Sequence, residues 1–253
     1  EFLKKEKGNR EEDEWKMTET AAQEIKAHIK KTQGLTCSIG IGPNKFIAKM
    51  ASGMNKPDGL TVVRPDSPAH GVQPFLDPQP VQAIPGIGPK SGAVLERMGI
   101  RTIRDLRGLS EAELTERFGK WGAGMYRRAR GIDDAPVVAE YETKSVGEQE
   151  TYEHDTLDAV FLIGRLRDLA RQVHARFRRE GFAGFRTVSI IVRFADFETK
   201  TRAHSFPKSA ATAKALEAEA LQLFLPFLDK RENPRKKLIR LLGLRVERLQ
   251  ERH

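Results

Sequence analysis

Residues 134–142, Asp-Ala-Pro-Val-Val-Ala-Glu-Tyr-Glu, repeat apolar side chains at neither the helical nor the strand period. They divide a chain of 253 residues into two parts with different patterns, so a single continuous core is not expected. Before them, residues 81–133 read as short helices punctuated by glycine. After them, the apolar period alternates between two and 3.6 in the order β-α-β-β-α-β. Residues 144–153 read as a strand and residues 155–180 as a long helix, with Leu157, Phe161, Leu162, Leu166, Leu169, Val173 and Phe177 on its buried face. Two strands follow at 185–195 and 197–206, joined by a tight Ala195-Asp196 turn. A helix at 209–228 and a strand at 236–248 complete the unit. That order builds a four-stranded sheet with two helices on one face.

The first 67 residues have a third pattern. Residues 4–16 are nearly all polar and read as a solvated loop or helix start. An amphipathic helix is expected over 18–33, with Thr18 as its N-cap and Gly34 at its end. A strand over 35–41, a helix opened by Pro43-Asn44, a turn at Lys56-Pro57-Asp58-Gly59 and a strand over 60–63 follow. Prolines 65, 68, 74, 78 and 80 then mark a boundary. The expected class is therefore α+β and multidomain: 1–67, an all-α unit over 68–133, a linker over 134–142, and a β-α-β-β-α-β domain over 143–253.

Charge narrows the partners. The chain carries 44 Lys+Arg against 35 Asp+Glu, a net of +9, and residues 143–253 hold +7 of it. A basic C-terminal part suits a polyanion such as nucleic acid, although charge alone does not distinguish that from a basic solvated surface. A lone cysteine, Cys37, excludes an intrachain disulfide and a Cys-based zinc site. The charged N-terminus is unlike a signal peptide, and no apolar run reaches membrane length, so a soluble cytoplasmic protein is expected.

Three motifs carry chemistry. Ile84-Pro85-Gly86-Ile87-Gly88-Pro89-Lys90 precedes an apolar helix and looks like the hairpin of a helix-hairpin-helix. Gly86 and Gly88 permit a tight turn and close approach to a phosphate, the helix beginning at Pro89 offers free N–H groups, and Lys90 adds charge. An ordinary glycine-rich helix–helix turn is the plainer alternative. Lys45, Lys49 and Lys56 cluster near one helix and its exit; lysines so placed are usually just solvated, and a triphosphate contact by Lys56, restricted by Pro57, is the sharper alternative. In the strand 198–205, Thr199, Thr201 and Ala203 share one face, and Lys200, Arg202 and His204 share the other. That basic face is expected to be a platform for a duplex backbone, with a merely solvated face as the alternative. Gln222-Leu223-Phe224-Leu225 resembles a clamp-binding peptide, but its apolar residues are needed for the core. His154, His174 and His204 lack metal-ligand spacing, and residues 38–45 have the wrong spacing for a phosphate loop. Trp15 reads as a surface residue and Trp121 as a core residue.

Taken together, these features resemble the Y-family DNA polymerases of the DinB, polymerase IV and polymerase kappa branch. Thr36–Gly59 looks like the second half of their palm, Ala83–Lys90 like their thumb hairpin, and Lys144–Gly147, Arg186–Phe206 and Leu238–Val246 like their little-finger domain. The resemblance implies template-directed, low-fidelity synthesis across damaged bases by two-metal phosphoryl transfer with Mg²⁺. It implies that Lys56 contacts the incoming deoxynucleoside triphosphate and that Gly86, Gly88 and Lys90 hold the primer backbone. Lys144, Ser145, Thr201 and Arg202 would lie along the template backbone. The implied partners are primer-template DNA, deoxynucleoside triphosphates and a sliding clamp, with no membrane, for a monomeric protein placed at the nucleoid or in the nucleus.

The family's metal-binding carboxylates, one aspartate and a later Asp-Glu pair, lie upstream of the matched region. Glu1-Phe2-Leu3 matches at most the tail of the second motif, and Glu1 is assigned no catalytic role. No catalytic or metal residue is expected in residues 1–253. The Mg²⁺ ligands are expected in a preceding segment, and the chain alone is expected to be inactive. Two other readings compete: a non-catalytic DNA-binding module, and a helix-hairpin-helix glycosylase or nuclease. The second would need a catalytic group near the hairpin. Asp105 is the one acid at a suitable distance, and it reads as part of a helix start after Thr102.

Overall fold

The structure, a computed structural model, describes residues 2–65 and 71–251. Two compact units meet at the Ala139–Glu140 junction, inside the stretch without periodicity. Glu1 lies outside the described residues.

In the N-terminal unit, helix α1 spans Phe2–Gln33, so the polar stretch expected as a solvated loop or helix start is helical throughout. Glu and Lys are strong helix formers, and Glu12 pairs with Lys16 at 3.3 Å one turn away. Thr18 is consequently not an N-cap: its hydroxyl donates to the Glu14 carbonyl at 2.8 Å within the helix. Gly34, at φ +68°, ends α1 as expected, and its N–H donates to the Lys30 carbonyl. Strands β1 (Ile39–Ile41) and β2 (Leu60–Val62) pair in parallel across helix α2 (Lys45–Met54). Asn44 caps α2 by accepting from Ile47 N–H at 3.0 Å.

Short helices follow: α3 (Val72–Leu76), a 3₁₀ turn (Val81–Ala83), α4 (Pro89–Arg97), α5 (Ile103–Arg107), α6 (Glu111–Phe118) and α7 (Lys120–Ala129). Phe46, Ile47, Met50 and Ala51 of α2 share one core with Leu76, Ile84, Leu95, Ile103, Leu106, Leu114 and Met125. The Pro-rich connection therefore does not interrupt the core of this unit.

The C-terminal unit has the expected order: β3 (Ser145–Thr156), α8 (Ala159–Arg179), β4 (Phe182–Phe194), β5 (Thr199–Ala210), α9 (Ala213–Phe224) and β6 (Ile239–Glu247). The sheet runs β3-β6-β4-β5, antiparallel throughout, and a short β7 (Gln250–Glu251) adds to β4. Both helices bury their apolar stripes against one face. Phe177 sits at the centre, edge-on to Phe185 and stacked near Phe182. Phe161, expected inside, is 43% exposed, because α8 begins only at Ala159, where Asp158 accepts from the Val160 and Phe161 N–H groups. The β4–β5 connection is wider than the expected two-residue turn. Phe197 takes φ +64° and donates its N–H to the Phe194 carbonyl. Phe224 is fully buried, as the packing reading of residues 222–225 requires.

Phe177→Ala should leave a cavity and cost the C-terminal unit about 3–5 kcal/mol. Urea unfolding followed by near-UV dichroism should show the C-terminal transition moving to lower denaturant while the N-terminal one stays in place. A single shared shift would mean that the two units unfold as one.

Candidate nucleic-acid interface

The hairpin begins as a turn. Pro85 and Gly86 occupy its centre, Gly86 takes φ +96°, and the Ile87 N–H donates to the Ile84 carbonyl at 3.0 Å. Proline followed by a positive-φ glycine is the signature of a type II turn. A Cβ on Gly86 would lie 2.5 Å from the Trp121 ring, so both the backbone angle and the space require glycine. Gly88 differs. It caps α4 in an ordinary extended conformation, φ −86° and ψ −177°, and a Cβ there would meet nothing within 4 Å. Pro89 has no N–H to leave unsatisfied, and the Gly92 N–H already donates to the Gly88 carbonyl. The Lys90 and Ser91 N–H groups are left pointing out of the first turn. Lys90 is exposed beside them. The turn thus presents bare backbone, two amide donors and one ammonium, a set suited to a phosphate oxygen.

Trp121, expected in the core, is instead 50% exposed. It lies on the second residue of α7, and its ring covers Gly86 rather than entering the interior. Nothing in the sequence links the two, because 34 residues separate them. Asp105 is a helix start, as expected: it and Thr102 form a capping box, with Asp105 accepting from the Arg101 and Thr102 N–H groups. Those backbone donors hold its carboxyl below the usual carboxylate range.

Lys56 stands exposed just past α2, and no hydrogen bond or ion pair reaches it among the described residues. The turn it belongs to is clasped from behind by Lys26 of α1. The Lys26 ammonium donates to the Cys37 carbonyl, to Asp58 Oδ1 at 2.6 Å and to the Gly59 carbonyl at 3.3 Å. The same hydrogen bond lowers the Asp58 carboxyl below its ordinary value. Lys45, by contrast, turns away and donates to the Pro136 carbonyl.

In the C-terminal unit the two faces of β5 are the reverse of the expected arrangement. Val188, Ile190 and Val192 of β4 are fully buried under the helices and stand opposite His204, Arg202 and Lys200. Paired residues share a face, so the basic row lies on the helix side. There it is neutralised. Arg202 makes two hydrogen bonds of 2.5 Å to the Glu232 carboxylate, Lys200 donates to the Glu232 carbonyl at 2.6 Å, and His204 meets Glu219 of α9 at 2.9 Å. Thr201 and Arg202 therefore point to opposite faces.

The open face is instead small and polar. One row across the strands runs Gly147, Arg245, Ser189, Ala203; the next runs Gln149, Gly243, Ile191, Thr201. A shallow trough of about 380 Å³ lies over Ser145, Gly147, Gln149, Gly243 and Arg245. Lys144 is exposed at the head of β3, and Ser145 belongs to the open face. The residues predicted for the site thus fall on the hairpin, beside α2 and, for Ser145 and Thr201, on the open sheet face, while Lys144 precedes β3 and Arg202 lies on the helix side.

Known proteins resemble this chain over nearly its whole length. Residues 143–253 match the impB/mucB/samB family C-terminal domain, residues 82–133 the DNA polymerase-iota thumb domain, and residues 3–53 the impB/mucB/samB family itself. A DNA polymerase IV 2 from Methanosarcina mazei is 37% identical over 231 residues, 91% of this chain and 60% of that protein. DNA polymerase IV from Methanoculleus marisnigri is 39% identical over 229 residues, 90% and 61% respectively. A solved Y-family DNA polymerase chimera superposes with a TM-score of 0.71 at 23% identity, over 96% of this chain and 67% of its own.

The chain belongs to the Y family of DNA polymerases.

It is of the DinB type, and it spans about 60% of the length of those polymerase IV relatives. The hairpin lies inside the match to the Y-family thumb, and the open sheet face lies inside the match to the C-terminal domain. Lys56 lies just past the end of the match to the N-terminal model.

Two substitutions separate the hairpin glycines. Gly86→Ala should lower stability by about 1–3 kcal/mol through the positive φ and the Trp121 contact. Gly88→Ala should leave the melting temperature nearly unchanged. Calorimetry on both variants checks this, and equal losses would place the two glycines in the same role. The Glu232 carboxylate sits below its ordinary value, chiefly through the Arg202 hydrogen bond. Its pairing therefore adds stability above the ordinary glutamate range, and that stability disappears as pH falls through the lowered value. Glu232→Gln should cost about 1 kcal/mol at neutral pH and nothing in strong acid, as measured by urea titrations at both pH values.

Proposed function

We propose that this chain is the thumb, little finger and part of the palm of an error-prone polymerase that copies damaged template DNA, and that it holds primer-template DNA without catalysing extension by itself. The observation that carries this reading is the bare turn at Gly88: an open, extended glycine beside free helix N–H groups and Lys90. A fold gains nothing from leaving that position empty, whereas a phosphate needs the space. In this reading Gly86, Gly88 and Lys90 hold the primer backbone. Ser145, Thr201 and Lys144 lie along the template backbone, and Arg202 contributes from the strand edge, only if Glu232 releases it. The division into palm remnant (1–67), thumb (68–133), linker (134–142) and little finger (143–253) is part of the proposal.

Lys56 is proposed to meet the triphosphate of an incoming deoxynucleotide, since its ammonium has no partner among the described residues and its turn is fixed by Lys26. Y-family polymerases are generally metal-dependent, and we take Mg²⁺ as the ion. The described residues do not fit a magnesium site: they contain no cluster of three or more His, Cys, Asp or Glu that could ligate a metal. Hard cations need such oxygen ligands. We place the ligands in the part of the relatives' length that this chain does not span. A sliding clamp is a further proposed partner, reached without residues 222–225, because Phe224 belongs to the core. No helix among the described residues is long and apolar enough to cross a membrane. A monomer at the nucleoid, or in a nucleus, completes the proposal.

Residues 1–253 should bind a primer-template duplex without sequence preference, and affinity should fall steeply with salt through counterion release. Fluorescence anisotropy of a labelled duplex measures this. Gly88→Val should weaken binding about tenfold while keeping the parent melting temperature. Addition of Mg²⁺ and all four deoxynucleotides should give no extension on a sequencing gel. Absence of binding at low salt, or robust extension by this chain, would overturn the assignment.

A further inference from the structure

We infer that Trp121 is a nucleic-acid contact, not merely a packing residue: its indole N–H and the Arg128 guanidinium extend the hairpin's grip to a second phosphodiester oxygen of the same strand. The inference rests on the reading that the hairpin holds a DNA backbone, and it adds to that site residues which neither the motif nor the family matches point to.

Four observations carry it. Trp121 is half exposed, although tryptophan side chains are highly buried on average. Yet the ring is not loose, because it is seated on the turn itself. The atoms closest to a would-be Gly86 Cβ are Cη2, Cζ3 and Cζ2, at 2.5, 2.9 and 3.2 Å. The six-membered end of the ring makes that contact, which leaves the pyrrole end with its Nε1–H outside it. That donor has no hydrogen-bond partner among the described residues. An indole N–H can only donate, so it needs an acceptor that the protein does not supply.

The surroundings select the acceptor. Arg128 lies two turns further along α7, with its Cζ 5.3 Å from the Trp121 ring centroid and no acidic partner among the described residues. Lys120 precedes Trp121 and is exposed, also without an ion pair among the described residues. A guanidinium held at the ring and a neutral N–H beside Gly86 favour an anionic oxygen over a base edge or a cationic ligand. Gly86 also gains a second reason to be glycine: any side chain there would lift the ring off the turn.

The test uses the full chain with Trp15→Phe, so that Trp121 is the sole indole, and a labelled primer-template duplex. Duplex anisotropy and Trp121 emission are followed in one titration. Emission should change and saturate at the same duplex concentration as anisotropy. Trp121→Phe keeps a ring over Gly86 and removes the N–H, and it should weaken binding about 3- to 10-fold with an unchanged melting temperature. Binding by anisotropy with no change in Trp121 emission would overturn the inference and leave the hairpin reading intact. So would changed emission with parental affinity in Trp121→Phe, which would put the ring near DNA without the bond. A duplex that does not bind, or that ignores Gly88→Val, would instead sink the hairpin reading and this inference with it. Should Trp121→Phe melt early, the emission titration decides, since it leaves Trp121 in place.

Discussion

Strand β4 determines the chemistry of both faces of the C-terminal sheet. Val188, Ile190 and Val192 are fully buried on one side of it, and Thr187, Ser189 and Ile191 alternate with them on the other. Burying each of the three branched side chains contributes about 1.5–3 kcal/mol. A slip of one residue would turn all three to solvent, so the register is strongly fixed. Its neighbours inherit their faces from it. β6 places Arg245 and Gly243 on the open side, and β5 places Thr201 and Ala203 there. The shape of a surface that a polyanion could lie against is thus decided by hydrophobic burial on the opposite face.

That dependence explains what could and could not be read from residues alone. The apolar period of β4, the stripe of α8 and the β-α-β-β-α-β order are local patterns, and all three appear in the structure. The alternation in β5 was also legible: Lys200, Arg202 and His204 do share a face. Which face they take is a property of pairing with β4 and of Glu219 and Glu232, which arrive from α9 and the segment after it. No period within β5 carries that information. The same limit applies at the hairpin. Both glycines fit the motif, but only the position of Trp121 makes Gly86 obligatory, and only empty space makes Gly88 optional for folding. Trp121 itself was misread because a tryptophan inside a helical pattern is usually core. In α1, Thr18 was misread because threonine caps many helices, whereas here the charged residues before it sustain the helix.

The N-terminal unit shows how a short parallel pair can still be rigid. β1 and β2 share only three paired positions, far too few to stand alone. Two attachments hold them. α2 places Phe46, Ile47, Met50 and Ala51 into the same core as the short helices, and Asn44 at its head donates to the Gly131 carbonyl. Lys26 ties α1 to the entry of β1 through the Cys37 carbonyl and to the turn between α2 and β2 through the Asp58 carboxylate and the Gly59 carbonyl. Its stem is largely buried while its ammonium is fully employed, a use of lysine quite different from that of Lys56 one turn away. Lys56 is thereby presented from a fixed backbone with its charge unspent.

Charge bookkeeping changes in the same way once partners are known. The excess of +7 over residues 143–253 suggests a broadly basic domain, but many of its cations are occupied. Arg165 holds Glu150, Arg176 holds Glu148 and Glu180, Lys237 holds Asp196 and Glu198, and Arg202 holds Glu232. Such pairs act at long range almost as neutral groups, because a phosphate meets both members at nearly the same distance. The field that remains comes from cations without an acidic partner among the described residues, such as Lys144 at the head of β3 and Arg193, which donates to the neutral Thr199 hydroxyl. Arg193 lies in the open-face row with Thr151, Leu241 and Thr199. Six of the fifteen arginines in residues 143–253 lie on α8, whereas Arg193 faces the open side with no acidic partner among the described residues, so the pairing of a cation, and not the count of cations, decides what a phosphate meets.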